Sequence, residues 1–162
     1  MKFGIGQPIR RKEDDRLVTG HGQYTDDINL PGQLYLHVLR SPHAHATVSR
    51  LDTAAAQAAP GVIAIYTGQD IKTDKIPGLP CMIPLQNRDG TPLVKPTRPV
   101  LADGTVRFAG DPVAAVVAHT PLQARDAAEL IEVEYDTLPS ISDTAASRQP
   151  DGRNYQEEGG MT

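Results

Sequence analysis

The 162-residue sequence predicts a small α+β domain, an expectation that rests on three observations. Two segments pass from a strand-like to a helix-like hydrophobic period and back again. One helix carries a full set of start signals. A long proline-rich stretch interrupts the regular pattern between them.

The elements follow in order. Residues 13–17 read as a short helix closed by Gly20 and Gly22. Residues 24–27 read as a strand stub running into the turn at Leu30-Pro31-Gly32. Leu34, Leu36 and Val38 then alternate with Tyr35, His37 and Leu39, the period of a strand. Ser41-Pro42 interrupts it, because proline cannot donate to a ladder. A second strand is expected at 46–51 and an alanine helix at 54–59, capped by Asp52 or Thr53 and stopped by Pro60-Gly61. Residues 62–66 are apolar without alternation, as in a strand covered on both faces.

Residues 71–104 differ in kind, with Pro77, Pro80, Pro84, Pro92, Pro96 and Pro99. A structureless stretch of that length is uncommon inside a compact domain, so it reads as an excursion docked on a partner surface. Residues 112–119 are again apolar on both faces. Thr120-Pro121 opens a helix, with threonine at the cap, proline in the first turn and Gln123 placed to complete a capping box. Ala124, Ala127, Ala128 and Ile131 form its apolar stripe. Ile131, Val133 and Tyr135 then alternate with Glu132, Glu134 and Asp136, a last strand with one wet face. A strand–helix unit thus occurs twice, at 46–66 and 113–135, with unlike flanks that favour chance reuse over an internal repeat. Polar residues dominate from Thr144 onward, so the domain is read as 1–143 and 144–162 as a linker.

Composition bounds the function. A net charge of −4 with dispersed Lys and Arg argues against a nucleic-acid footprint or an anionic-membrane surface. Cys81 is the single cysteine, which excludes an internal disulfide and points to a reducing, cytoplasmic compartment. No apolar run is long enough for membrane insertion. With Trp 0 and Phe 2, the expected core is built from small aliphatic side chains packed closely.

Few side chains suggest chemistry. His43 and His45, two apart on one strand, would share a face as metal ligands do, with Asp26, Asp27 or Asp52 as a third donor; four ligands at recognisable spacing are missing. Ser41 beside His43 lacks the turn of a nucleophile elbow. The pairs Gly4/Gly6 and Gly20/Gly22 lack the strand-to-helix setting of a phosphate loop. Asp14-Asp15 and Asp26-Asp27 read as solvated charge, and Cys81 has apolar neighbours that do not activate a thiol. Arg98 and Arg107 bracket Asp103-Gly104; an anion site is conceivable, and a salt bridge to Asp103 or Asp111 is the more ordinary use.

Three blocks in register carry a family resemblance. They are Ile9-Arg10-Arg11-Lys12-Glu13-Asp14 through Tyr24-Thr25-Asp26-Asp27, then Arg40-Ser41-Pro42-His43-Ala44-His45-Ala46, then Val106-Arg107-Phe108-Ala109-Gly110-Asp111-Pro112-Val113. In this order they resemble the N-terminal domain of the large subunit of molybdenum-containing hydroxylases, over roughly residues 5–145. That family includes xanthine dehydrogenase, aldehyde oxidoreductase and aerobic carbon monoxide dehydrogenase, and the opening block is most similar to the last. The resemblance implies an α/β hammerhead domain, two main helices against a mixed β-sheet, with residues 144–162 a linker or the start of a molybdenum-binding region. It implies a parent oxidoreductase using molybdopterin, with 2Fe-2S clusters and FAD on partner domains or subunits. The family's cofactor loops and catalytic glutamate have no counterpart in residues 1–162, so no catalytic, cofactor-binding or metal residue is assigned, and the fragment alone is expected to be inactive. Gly110 then reads as a turn, Pro112 as a strand start, and Arg40 and His45 as holders of a strand corner. The rival expectation is an independent module binding a metal or other ligand through His43 and His45; a hydrolase using Ser41 is a weaker third.

Overall fold

The computed structural model describes residues 10–80 and 98–149, together with 6, 8, 82, 86 and 88–92. The chain divides into two compact units, Met1–Gln33 and Leu34–Thr162. The first contains helix α1 (Asp14–Val18), none of whose residues is buried. Asp14 starts it by accepting the Arg11 N–H at 3.2 Å and pairing with Arg11 Nε at 3.1 Å. The strand stub expected at 24–27 is instead a 3-10 turn, Thr25–Asp27. The Asp27 carboxylate takes the Tyr24 N–H at 2.9 Å, a local bond that competes with extended structure.

The second unit carries, in chain order, β1 (Tyr35–Arg40), β2 (Ala46–Asp52), the one-turn helix α2 (Ala54–Gln57), β3 (Val62–Thr67) and α3 (Gly68–Thr73). After the proline-rich stretch come β4 (Thr105–Val106), β5 (Pro112–Ala118), α4 (Pro121–Glu129) and β6 (Glu132–Thr137). The strands form two three-stranded sheets, ordered β1-β5-β3 and β4-β2-β6. Every pairing between them is antiparallel.

This corrects the expected single mixed sheet. A helix between two strands returns a parallel neighbour only when both strands lie in one sheet. Here α2 leads from β2 in one sheet to β3 in the other, and α4 leads from β5 back to β6. The two strand–helix–strand units interlock: β2 pairs with β6, β3 pairs with β5, and α2 packs on α4. Their similarity is therefore architectural.

Small side chains make the interlocking possible. Ala127 and Ala128 of α4 lie against Ala114 and Val116 of β5, with Ala56 and Ile131 in the same cluster. A second cluster, Ala46, Ala102, Val106 and Val113, lies between β2 and the start of β5. Leu51 and Val133 pack on both. At the start of α4 the Thr120 hydroxyl accepts the Gln123 N–H at 3.1 Å, half of the expected capping box. The Gln123 side chain instead lies where a Cβ on Gly61 would stand.

The excursion is more ordered at its base than its prolines suggest. It opens with α3, where Thr67 donates both N–H and hydroxyl to Asp70 at 2.7 Å. Lys72 then pairs with Asp103 at 2.9 Å, and Leu79 forms an antiparallel bridge with Arg98. Cys81 and residues 93–97 lie outside the described residues, as do Gly4 and 150–162. No helix among the described residues is long and apolar enough to cross a membrane.

Candidate functional site

Two sequence blocks some seventy residues apart meet where β1 turns toward β2. The Ser41 N–H donates to the Asp111 carbonyl at 2.9 Å, and the Gly110 N–H donates to the Ser41 carbonyl at 2.8 Å. Arg40 Nη1 donates to the Gly110 carbonyl at 2.9 Å. Gly110 sits at φ +91°, a conformation that favours glycine. In the adjoining turn the Arg107 N–H donates to Asp111 Oδ2 at 2.9 Å. Burial pushes the Asp111 carboxyl above its ordinary value, and the bond and charge of Arg107 offset part of that shift.

Ser41 is only 3% exposed. Its Oγ accepts the His43 N–H at 3.0 Å and donates to the His43 carbonyl at 3.1 Å. It also hydrogen-bonds the Tyr135 side chain, whose phenol burial raises above its usual value. The His43 ring lies on Tyr135, centroids 4.9 Å apart. His45 donates from Nδ1 to the Pro139 carbonyl at 2.8 Å, and its own carbonyl accepts the Leu138 N–H at 2.9 Å. The arrangement is a set of bonds, many of them between distant parts of the sequence, that fixes a chain corner.

The two histidines do not share a strand face, because the ladder begins only at Ala46. Asp52 is engaged elsewhere: the Ala54 N–H first and Arg50 second hold its carboxyl below the ordinary range. Asp26 and Asp27 belong to the N-terminal unit's turn. Among the described residues no three His, Cys, Asp or Glu side chains gather so as to hold a metal ion. Ser41 faces the His43 backbone, with no imidazole placed as a base.

Arg98 and Arg107 do come together. They line a cavity of about 290 Å³ with Asp111, whose other walls include Leu79, Val100 and Phe108. Asp103 has Lys72 as its partner instead. Sequence spacing did not reveal this cavity, because it is created by the Leu79–Arg98 bridge across the excursion. A signal for α3 was present in Thr67-Gly68-Gln69-Asp70, a capping box with aspartate in the place usually taken by glutamate. These residues do not fit a molybdenum cofactor: the described donors do not converge, and the cavity walls are largely apolar.

The interlocked antiparallel sheets and the welded corner define a class. Residues 19–139 match the aldehyde oxidase and xanthine dehydrogenase a/b hammerhead domain, and the chain belongs to that family. The carbon monoxide dehydrogenase large chain of Afipia carboxidovorans is 38% identical over 155 residues, 96% of this chain and 18% of that protein. Quinoline 2-oxidoreductase from Pseudomonas putida 86 superposes with a TM-score of 0.82 at 37% identity, over 97% of this chain and 19% of that one. The Cu,Mo-CO dehydrogenase structure gives 0.76 at 39% identity, over 93% of this chain and 18% of that one. The chain thus spans less than a fifth of these relatives' length.

Proposed function

We propose that this chain is the scaffold domain of a molybdenum hydroxylase large subunit of the carbon monoxide, aldehyde or xanthine dehydrogenase type. In this reading the hammerhead domain is 1–143, with 144–162 leading toward a molybdenum-binding region. Molybdopterin is held by other domains of the parent subunit, and 2Fe-2S clusters and FAD by partner domains or subunits, all in the cytoplasm. The observation that carries the reading is the corner itself. Two of the three resembling blocks, Arg40–Ala46 and Val106–Val113, are bonded to each other, Arg40 to Gly110 and Ser41 to Asp111, and the second is bonded within itself, Arg107 to Asp111. Groups committed to backbone geometry position a chain and do not move protons or electrons.

What these residues contribute is rigidity. Catalysis elsewhere depends on preorganised supports, because small misplacements of a reacting group lose large factors in rate. The named relatives act on carbon monoxide and quinoline, which share little chemistry, as expected if this region supports the reaction without choosing the substrate.

The test is capture of the native polypeptide from its host with an antibody against residues 34–149, followed by mass and metal analysis. The expected result is a polypeptide several times longer than 162 residues that carries molybdenum and co-purifies with iron and flavin. A captured polypeptide without molybdenum would refute the proposal.

A further inference from the structure

Among the described residues, one face of the β1-β5-β3 sheet is packed under a helix and the other bears exposed apolar side chains. Its inner face, with Ala114 and Val116, lies under α4. The ladder places Val38 and Tyr66 beside Ala115 on the other face, and Leu36 and Ala64 beside Val117. None of these six belongs to either hydrophobic cluster, and neither does Ile63 at the β3 bulge. Leu36 is 60% exposed, Ile63 51% and Tyr66 44%.

An antiparallel sheet with one wet face normally alternates apolar and polar residues. These strands do not: β3 and the centre of β5 are apolar on both sides, the pattern of a sheet buried twice. The sequence is written for a cover that the described residues of the Leu34–Thr162 unit do not supply.

We infer that this open face is a docking surface for an apolar segment of the parent large subunit lying outside residues 1–162. The inference rests on the reading proposed above. Two arguments select this occupant. The face carries no charged side chain at these positions, which disfavours a nucleic acid or an acidic partner. It is also small: three strands about 4.8 Å apart and a few residues long offer a footprint of about 200 Å². A free partner, such as a second copy, needs roughly 800 Å² on each side to hold stably. A segment of the same polypeptide needs less, because tethering raises its effective concentration. The relatives provide the length, with more than four-fifths of the carbon monoxide dehydrogenase large chain lying beyond the matched region.

The experiment is hydroxyl-radical footprinting of the native protein captured from its host, each rate normalised to the same residue after denaturation. In a polypeptide several times longer than 162 residues, Leu36, Ile63 and Tyr66 are expected to be modified several-fold more slowly than their exposure here implies, approaching buried Val116. If they react at the rates of open residues in that long polypeptide, the docking inference is overturned while the scaffold reading stands. If the native polypeptide has only 162 residues, the scaffold reading fails and takes the inference with it. Protection in a dimer of such chains would then assign the face to a second copy.

Discussion

Replacing Ser41 with alanine tests whether the corner is a structural lock. The substitution removes one oxygen atom and strands three partners: the His43 N–H, the His43 carbonyl and the Tyr135 hydroxyl. Each hydrogen bond contributes about 1 kcal/mol net, and a group left unpaired away from water costs about 1–3 kcal/mol. His43 is only half-buried, so water replaces part of what is lost, and the sum falls to about 2–3 kcal/mol. For a chain of this size that lowers Tm by about 4–12 °C. Thermal unfolding of the wild type and Ser41→Ala, followed by circular dichroism, measures it. A cycle with Tyr135→Phe separates the tyrosine bond, with a coupling of about 0.5–1 kcal/mol expected. A loss below about 0.5 kcal/mol would mean the hydroxyl fastens nothing, since that is the scale of an ordinary surface change. Labelling of Ser41 by a fluorophosphonate would refute the reasoning from the other side, by showing an available nucleophile.

Other substitutions probe the remaining supports. At Gly68 a Cβ would overlap the Ala102 carbonyl oxygen and lie 2.7 Å from its carbon, so Gly68→Ala should cost about 1–3 kcal/mol or more by urea denaturation. Gly104→Ala meets open space but must hold φ +75°, a cost of about 1 kcal/mol, so the two variants should rank in that order. Asp70→Ala removes the α3 cap and should cost about 1 kcal/mol at neutral pH. Its carboxyl is lowered in the fold, by the Thr67 hydroxyl first, so this contribution is present above the usual carboxylate range and disappears as pH falls through it. Asp111 has the opposite sign. Its carboxyl is raised by burial, so the folded state holds the proton longer than the unfolded chain and stability falls as pH rises through that window. Asp111→Asn keeps an acceptor for the Arg107 N–H and removes the ionisation, so its stability relative to wild type should improve from acid to neutral pH; a constant difference in urea midpoint would contradict this.

Local signals were legible where local chemistry decides. The strand periods at 34–39 and 46–51, the Thr120-Pro121 helix start and the alternation after Ile131 each reappear as β1, β2, α4 and β6 within a residue or two. The sheet arrangement was not legible, because a strand–helix–strand pattern does not say whether its second strand returns to the same sheet. Residues 24–27 misled for a different reason: Tyr24 and Thr25 favour strand, and the Asp27 side-chain bond overrides them. In the corner, the sequence singled out Ser41, His43 and His45 as residues but could not show what they face. Adjacent in sequence, they turn toward partners near 110 and 135–139, and only long-range pairing brings those into reach.

The composition of the core gives the open face its energetic weight. The largest fully buried side chains are Val106, Val113 and Val116, and most of the remaining buried set is alanine. Burial of a methyl or a valine contributes little beside a leucine or an aromatic ring, at about 25 cal/mol per Å² of apolar surface. Such a core lets α4 approach β5 closely and fixes geometry well, but it leaves a thin stabilising surplus. The large aliphatic and aromatic side chains that would widen the surplus, Leu36, Ile63 and Tyr66 among them, lie exposed on the uncovered face. Rigidity is therefore built into the corner and the interlocked helices, whereas the docking proposed above would add the burial of these exposed side chains to the stability. Covering those three side chains in the full assembly should raise the unfolding temperature of this region above that of residues 1–162 alone, with hydrogen exchange along β3 and β5 slowing more than exchange in α1.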